Sequence, residues 1–358
     1  MSRFLSARMA ALEPYVPGEQ PRDRQYVKLN TNESPFPPAP GVVAAVRGAE
    51  AERLNLYPDP TCRDLRRALA ARFGVGEENV IVSNGSDDIL NFAFQAFCGP
   101  DKPVAFPAVS YGFYPVLAGL YGLPHTAIPL REDLSIDVTD YIGRGENVVL
   151  ANPNAPTGLA LGVDEIERIA ASNPDHLVLV DEAYVDFGAE SCVPLTKRYE
   201  NLLVVQTFSK SRSMAGARLG FAIGSAALIA DLEAVKYSTN PYSLDRVTLA
   251  AGTAALTEKS EAYHAANCRT VMENRAYTTE ELTKRGFTVV PSLANFVFAR
   301  LPGTDGAQLY DALRRQGVLV RHFNKPGIRD YLRITIGSKA EMDALLAALD
   351  VICNEKGE

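Results

Sequence analysis

A lysine and an arginine in apolar surroundings are the residues best suited to covalent chemistry and anion binding. Lys210 ends the apolar run LLVVQTFS and has hydroxyl neighbours at Ser209, Ser211 and Ser213. A lysine at the carboxyl end of a buried strand lies where open α/β sheets bind ligands, and a desolvated amine there can form an imine. A solvated loop lysine is the alternative. Arg218 follows among Ala, Met and Leu, where an unpaired guanidinium is costly, so it predicts a nearby anion.

A turn that follows another apolar run is suited to phosphate. After VIVS, the residues Asn84-Gly85-Ser86-Asp87 open a helical pattern, which directs backbone N–H groups and the positive end of a helix dipole at one point. Simple capping of the helix by Ser86 and Asp87 is the alternative. Further donors to the same phosphate are predicted at Thr207, Ser209 and Arg218.

Two more strand ends supply polar groups at the same sheet edge. Asp181 ends the run HLVLVD, where it either pairs with a cation or faces a protonated ring nitrogen. The preceding strand ends in the loop NPNAPTG, residues 152–158, which contains amide side chains. Four consecutive strand ends therefore predict one crevice with a phosphate site, an amide-bearing loop, an acid and a lysine.

Two arginines near the C-terminus predict a second anion site. In YLRITIGS, the alternation of a strand places Leu332 and Ile334 on one face and Arg333 on the other. Arg321 follows the run VLV in a similar setting. Two guanidinium groups match a phosphate dianion better than one carboxylate, although a structural salt bridge is the alternative for each.

The elements that position these residues indicate an α/β fold. Apolar runs alternate with helical patterns after residue 41, which favours parallel strands buried on both faces. Residues 225–285 are predicted helical with one break at Asn240-Pro241, and short strands and two helices follow. The predicted divisions are a proline-rich arm over 1–40, a large domain over 41–280 and a small α+β domain over 281–358.

Composition excludes several classes of function. The 358 residues are 47% hydrophobic and 22% charged with a net charge of −7, which is typical of a globular protein without affinity for nucleic acid or anionic membranes. The five cysteines and four histidines are scattered, so neither disulfides nor a metal site is predicted. Arg8 interrupts any signal-peptide core and no apolar run is long enough to cross a bilayer, so a cytoplasmic location is expected.

Nine motifs in order make the chain similar to a known family. LNTNESPFPP, LNLYPDP, SNGSDD, SYGFY, NPNAPTG, DEAY, TFSKSRSMAGARLGFAIG, LVRHFNKPG and YLRITIGS resemble those of the pyridoxal-phosphate-dependent aminotransferases of fold type I. The closest resemblance is to the histidinol-phosphate aminotransferases. This implies a fold type I architecture, with a mostly parallel seven-stranded sheet flanked by helices and a smaller C-terminal α+β domain.

The resemblance also implies roles for particular residues. Lys210 would form the internal aldimine with pyridoxal 5'-phosphate, Asp181 would bind the pyridinium nitrogen, Tyr184 would bond the ring hydroxyl, and Tyr111 would stack on the ring. The phosphate group is then assigned to Gly85, Ser86, Asp87, Thr207, Ser209 and Arg218. The family usually has Asn where this chain has Ala155, and Asn154 is taken as its replacement; Asn152, or Tyr184 alone, is the alternative.

On the substrate side, the resemblance assigns a phosphate to Arg321 and Arg333, with help from Tyr15 and from Tyr57 of the other subunit of a homodimer. The implied reaction moves an amino group between a phosphorylated amino alcohol and glutamate or 2-oxoglutarate. A threonine-phosphate decarboxylase and an aromatic aminotransferase of the same fold are the alternatives. A non-catalytic regulator would need a DNA-reading module, for which about 40 residues before the α/β body leave little room.

Overall fold

The computed structural model describes residues 3–10 and 12–355. Within these ranges the strands are β1 (Val27–Lys28), β2 (Val80–Ser83), β3 (Val104–Pro107), β4 (His125–Ile128), β5 (Asn147–Ala151), β6 (Val178–Asp181), β7 (Leu202–Thr207), β8 (Gly220–Ile223), β9 (Thr288–Val290), β10 (Phe296–Arg300), β11 (Val318–Leu319), β12 (Arg321–His322) and β13 (Leu332–Thr335). The α-helices are α1 (Ala7–Ala10), α2 (Pro40–Val46), α3 (Arg63–Phe73), α4 (Ser86–Phe97), α5 (Phe113–Tyr121), α6 (Val163–Ser172), α7 (Ala226–Thr239), α8 (Arg246–Ala255), α9 (Glu258–Lys284), α10 (Gly306–Arg315) and α11 (Lys339–Glu355).

Seven of these strands form the large sheet, in the order β2-β8-β7-β6-β5-β3-β4. Only β8 is antiparallel to its neighbours, and the other six run in one direction. Alternate residues of the strands, such as Val204 and Val205, enter separate apolar clusters on the two faces. Burial on both faces explains why these strands are almost wholly apolar in sequence. The predicted mostly parallel, seven-stranded sheet is confirmed.

A smaller antiparallel sheet, in the order β12-β13-β10-β9, forms the core of the C-terminal part with α10 and α11. The second half of α9 packs into the same core through Val271 and Leu282. The arm also belongs to it: β1 pairs in parallel with β11, and Leu29 is buried there. The arm is therefore anchored to the C-terminal core rather than only lying over the surface.

The helical region after β8 has one more break than the sequence analysis predicted. The segment expected to continue from about Leu244 to Arg285 is divided into α8 and α9, because Thr257 is extended, with ψ of 152°. Thr257 is followed by acidic residues in the first turn of α9, Glu258 and Glu261, which stabilise a helix start. This local signal for a new helix was in the sequence and was overlooked.

Across residues 3–10 and 12–355, every helix lacks the length or the apolar character needed to cross a membrane.

Candidate active site

The carboxyl ends of the parallel strands meet at one edge of the large sheet. Ser83 of β2 and Thr207 of β7 both pair with Gly220, at the amino end of the reversed strand β8. Asp181, the last residue of β6, pairs with Ala151, the last residue of β5. The turn after β2, the loop after β5 and the segment after β7 therefore converge, as the order of the strand ends predicts.

A cavity of about 330 Å³ lies at this edge. It brings together most of the residues that sequence reasoning assigned to the cofactor: Ser86, Asp87, Tyr111, Asp181, Tyr184, Thr207, Ser209, Lys210 and Arg218. Thr31 and Glu33 of the arm complete one wall. The volume is that of a small-molecule site, and the lining combines one amine, carboxylates, phenols and a guanidinium.

Lys210 has few partners in this cavity. Its Nζ lies 3.3 Å from the backbone oxygen of Thr31 and 5.9 Å from the centre of the Tyr184 ring. Burial is the main reason that the pKa of Lys210 falls to about 8, and the positive charge of Arg333 lowers it further. A substantial fraction of the amine is therefore neutral near pH 8, and only the neutral amine is nucleophilic.

Asp181 is buried, and its two oxygens have different partners. Tyr114 of α5 donates its hydroxyl to Oδ2 at 3.0 Å, and the backbone N–H of Ala183 donates to Oδ1 at 3.2 Å. Burial raises the pKa of Asp181 to about 6 despite these bonds. A carboxylate that is costly to ionise alone gains most from a cationic N–H placed against it in the cavity.

The predicted phosphate turn is built by a close approach of backbone to backbone. Gly85 has a φ of +82° and precedes the first turn of α4, so the N–H groups of Ser86 and Asp87 lie at a helix start without intrahelical acceptors. A Cβ on Gly220 would lie 2.3 Å from the backbone nitrogen of Ser86. Arg218 reaches the same point and pairs with Asp87, with NH2 to Oδ2 at 3.0 Å.

Replacing Gly220 with alanine is expected to weaken both the fold and the anion site. The added Cβ meets backbone atoms of residues 85 and 86, which cannot rotate away, so overpacking should cost about 1–3 kcal/mol or more. The measurements are thermal unfolding and cofactor affinity by equilibrium dialysis. Gly119→Ala is the matched control, because a Cβ there has no atom within 4 Å; it should leave both properties unchanged or slightly improved.

A second cavity, of about 590 Å³, opens beside the first and shares Tyr111 and Ala155 with it. Tyr15 of the arm, Arg321 and Arg333 line it, which places these three sequence-predicted residues together. The rings of Tyr15 and Tyr111 meet edge to face at 5.9 Å between centroids. Arg321 ties the arm in place by donating to the carbonyl oxygens of Val16 and Pro17.

Arg333 has an incomplete set of partners. Its NH2 donates to the Asn30 carbonyl at 3.0 Å, its guanidinium lies over the rings of Phe296 and Phe323, and its buried Nε has no hydrogen-bond acceptor. Among the described residues, no carboxylate lies within 4.0 Å of the charged nitrogens of Arg321 or Arg333. Glu13 also lines this cavity but makes no ion pair with either arginine, and two unpaired guanidinium groups facing one cavity indicate an anionic ligand.

Tyr57 does not line either cavity. It is 78% exposed and stacks on Tyr242 at 4.6 Å between ring centroids, next to the exposed side chains of Leu54 and Leu56. Arg246 holds this segment by donating to the Tyr57 carbonyl oxygen and to Glu50. The chain therefore presents Tyr57 in an exposed apolar patch away from its own cavities, which is typical of a subunit interface.

The expectation for Asn154 is not supported by the structure. Its amide is buried and bonded to Ser110, to the Val109 carbonyl and to Thr157, so none of it faces a cavity. The Asn152 amide is likewise occupied, in both directions, by the backbone of Leu161. Both amides stabilise the 152–158 loop. At the position where the family usually has Asn, the methyl group of Ala155 lines both cavities.

Three residues of the site were missed by sequence reasoning. Tyr114 supports Asp181, Asn32 donates to the Tyr184 hydroxyl at 3.0 Å, and Lys325 adds a third cation to the second cavity. Tyr114 lies in the first turn of α5, three residues after Tyr111 and within the motif SYGFY, which could have indicated it. The contacts of Asn32 and Lys325 depend on long-range packing, although both residues lie in motifs quoted for the family resemblance, LNTNESPFPP and LVRHFNKPG.

Comparisons with known proteins agree with this geometry. Residues 24–349 match the family described as aminotransferase class I and II. Histidinol-phosphate aminotransferase 2 of Dechloromonas aromatica is 51% identical, covering 98% of this chain and 99% of its own. Histidinol-phosphate aminotransferase 1 of Bradyrhizobium diazoefficiens is also 51% identical, with the same two coverages. A solved structure of the Sinorhizobium meliloti histidinol-phosphate aminotransferase, in complex with pyridoxal-5'-phosphate, has a TM-score of 0.89 at 26% identity over 99% of each chain.

The first cavity fits the cofactor of this family on its own chemistry. It offers an amine that is partly neutral near pH 8, a buried carboxylate in need of a cationic partner, a tyrosine hydroxyl and an anion-binding helix start beside Arg218. These groups match the aldehyde, the ring nitrogen, the ring hydroxyl and the phosphate of pyridoxal phosphate. The chain belongs to the class I and II aminotransferases, which use pyridoxal phosphate, and within them to the histidinol-phosphate aminotransferases.

Proposed function

We propose that this protein transfers an amino group between histidinol phosphate and 2-oxoglutarate, interconverting them with imidazole-acetol phosphate and glutamate in histidine biosynthesis. The observation that supports this most strongly is the pair Arg321 and Arg333, which line one cavity without carboxylate partners next to the Lys210 cavity. One dianionic phosphate or one carboxylate can then be bound by the same two guanidinium groups in successive half-reactions.

The residues of the first cavity divide the work of holding the cofactor and moving protons. Pyridoxal phosphate, when bound, supplies an aldehyde that accepts the amino group and a protonated ring that withdraws electrons. The Lys210 amine would hold the cofactor covalently, and the same amine when free would serve as the base that moves a proton in the cavity. Asp181 would hold the ring nitrogen by accepting its N–H, and Tyr184 would hold the ring hydroxyl oxygen.

The remaining residues position the two ligands. The N–H groups of Ser86 and Asp87, the hydroxyls of Thr207 and Ser209, and Arg218 bind the cofactor phosphate. Tyr111 stacks on the ring, and its hydroxyl is fixed by a bond to Asp87 at 2.9 Å. On the substrate side, Arg333 and Arg321 bind the phosphate, and Tyr15 closes the cavity above Tyr111.

The proposal is tested by single half-reactions on the purified enzyme. Histidinol phosphate should convert the pyridoxal form to the pyridoxamine form, followed by absorbance, without release of carbon dioxide. Unphosphorylated histidinol should react far more slowly, because it lacks the anion that pairs with the arginines. Carbon dioxide release from threonine phosphate would instead establish a decarboxylase, and equal use of histidinol and its phosphate would refute a phosphate pocket.

We further propose that the enzyme is a homodimer in which Tyr57 reaches the partner's cavity. Tyr57 stacks on Tyr242, and both rings and the nearby Leu54 and Leu56 are exposed, so a second copy of the chain could bury them.

Mixing two inactive variants tests this arrangement. After reassortment of equal amounts of Tyr57→Ala and Lys210→Ala subunits, half of the dimers contain both variants, and each of these has one intact site if Tyr57 acts across the interface. About one quarter of the wild-type specific activity should return. No recovery, with mixed dimers demonstrated by mass spectrometry, would show that Tyr57 serves its own subunit or none.

A further inference from the structure

Tyr184 receives a hydrogen bond from a buried asparagine that sequence reasoning did not assign to the site. We infer that Asn32 is a positioning residue that sets the direction of the Tyr184 hydroxyl and leaves its proton available to the cavity. The inference rests on the proposed function in one respect, namely that Tyr184 donates to the ring hydroxyl oxygen of the cofactor.

Asn32 is held on every side. It is 1% exposed and has a φ of +54°, in the left-handed region that asparagine tolerates better than most residues. Its backbone N–H donates to Thr335 Oγ1 at 2.9 Å, and its carbonyl accepts from Asn295 Nδ2 at 3.0 Å. The arm, β13 and the large domain therefore meet at this one residue.

The bonds around the Asn32 amide have a consistent direction. Thr335 Oγ1 accepts from the Asn32 N–H, so its own proton is free to be donated to Asn32 Oδ1, at 3.0 Å. With Oδ1 as acceptor, Nδ2 is the donor to the Tyr184 hydroxyl, at 3.0 Å. A hydroxyl that already accepts one bond directs its single proton elsewhere. The chain from Thr335 to Tyr184 therefore leaves the phenol to act as a donor.

The side chains packed on the Tyr184 ring are apolar, and the charged groups Lys210, Arg333, Asp181 and Asp87 act on it without a hydrogen bond to its hydroxyl. Phe296 meets its ring edge to face at 5.1 Å, and Ala155 and Ala294 belong to the same apolar cluster. The nearby amides of Asn152 and Asn154 are occupied within their own loop. In the described part of the chain, Asn32 makes the one side-chain hydrogen bond recorded for this hydroxyl. Burial raises the pKa of Tyr184, the charge of Arg333 and then the Asn32 bond lower it, and the carboxylates of Asp181 and Asp87 raise it.

The experiment compares variants in two backgrounds by the pH at which the absorption of the lysine-bound cofactor changes. A donor to the ring oxygen favours its ionised form, so Tyr184→Phe should move the midpoint to higher pH. Asn32→Gly removes the amide and keeps the left-handed backbone without strain. It should raise the midpoint by about 0.5–1 pH unit, which is a three- to ten-fold change in the protonation constant. In the Tyr184→Phe background, Asn32→Gly should cause no further shift.

Asn30→Ala is the matched control, because Asn30 is an equally buried asparagine of the same segment whose amide bonds Glu19 and not Tyr184. It should leave the midpoint unchanged. If Asn32→Gly folds poorly, Asn32→Asp keeps the shape and accepts the phenolic proton, and its shift should be larger with Tyr184 than with Phe at 184. An unchanged midpoint in Tyr184→Phe would refute the proposed role of Tyr184 itself. If Tyr184→Phe shifts the midpoint but the Asn32 variants do not, or shift it equally with Tyr and with Phe at position 184, the role of Tyr184 stands and the inference about Asn32 is refuted.

Discussion

Replacement of Lys210 by alanine is expected to abolish covalent cofactor binding and to lower turnover by at least about 10⁴-fold, because the same amine provides the covalent bond and the base. Lys210 has no substitute in the lining of its cavity: Arg218, the other basic side chain there, is a guanidinium that stays protonated and does not attack an aldehyde. Borohydride reduction of the wild-type holoenzyme should place pyridoxyl label on the peptide containing Lys210. Label on any other lysine would contradict the assignment.

The depressed pKa of Lys210 gives this prediction a pH dependence. Covalent binding needs the neutral amine, so its rate should rise with pH around a midpoint near 8. Arg333 is one of the causes of the low pKa, and Arg333→Ala should therefore move this midpoint to higher pH. The measurement is the rate at which cofactor-free protein acquires the absorption of the bound cofactor. A midpoint near the ordinary lysine value of about 10.4 would show that the amine is solvated.

The same shift has a consequence for stability. Between about pH 8 and 10.4 the folded protein binds fewer protons at Lys210 than the unfolded chain does, so the stability contribution of this group rises with pH in that window. Below pH 8 both states are protonated and the burial penalty is fully present. Cofactor-free Lys210→Met should therefore melt at higher temperature than wild type at pH 7, and the difference should shrink as the pH approaches 10.

The sequence was sufficient for the features that are set locally. Lys210, Asp181 and the turn at Gly85 could be placed at one edge because each directly follows an apolar run, and parallel strands bring their ends together. The mostly parallel arrangement of the sheet was predictable for the same reason, whereas the number of seven strands was implied by the family resemblance. Alternation placed Arg333 on the face of β13 opposite Leu332 and Ile334, which pack in the small core, and the family resemblance assigned it to the substrate.

What could not be predicted depends on contacts between distant segments. Asn154 was a reasonable replacement for the missing amide at Ala155, yet its side chain is occupied by Val109 and Ser110, about 45 positions away. Asn32 and Tyr184 are 152 positions apart in the sequence. Strand β1 could not be predicted because two residues in an irregular arm have no periodicity. The direction of a polar side chain in a buried loop depends on its hydrogen-bond partners, and tertiary packing determines which partners are within reach.

Arg333→Ala is expected to lower kcat/KM for histidinol phosphate by about ten- to a hundred-fold or more. A charge-assisted hydrogen bond to a phosphate in a desolvated pocket is worth about 1.5–3 kcal/mol, and a guanidinium makes up to two of them. The glutamate half-reaction should also weaken, because the same cavity receives the carboxylates of the donor. Arg321→Ala should affect mainly the phosphorylated substrate, whose dianion gains most from a second guanidinium. It should also loosen the arm, because Arg321 donates to the carbonyl oxygens of Val16 and Pro17.

The structural role of Arg333 must be separated from its role in binding. It bonds the Asn30 carbonyl and stacks between Phe296 and Phe323, so alanine also removes packing. Loss of packing alone would lower kcat/KM for histidinol phosphate and for unphosphorylated histidinol by the same factor. A phosphate pocket requires the ratio of the two values to fall, and Arg333→Lys, which keeps the charge but not the paired geometry, should give an intermediate ratio. A ratio that stays at the wild-type value in both variants would assign the phosphate to other cations, of which Lys325 is the one already in the cavity lining.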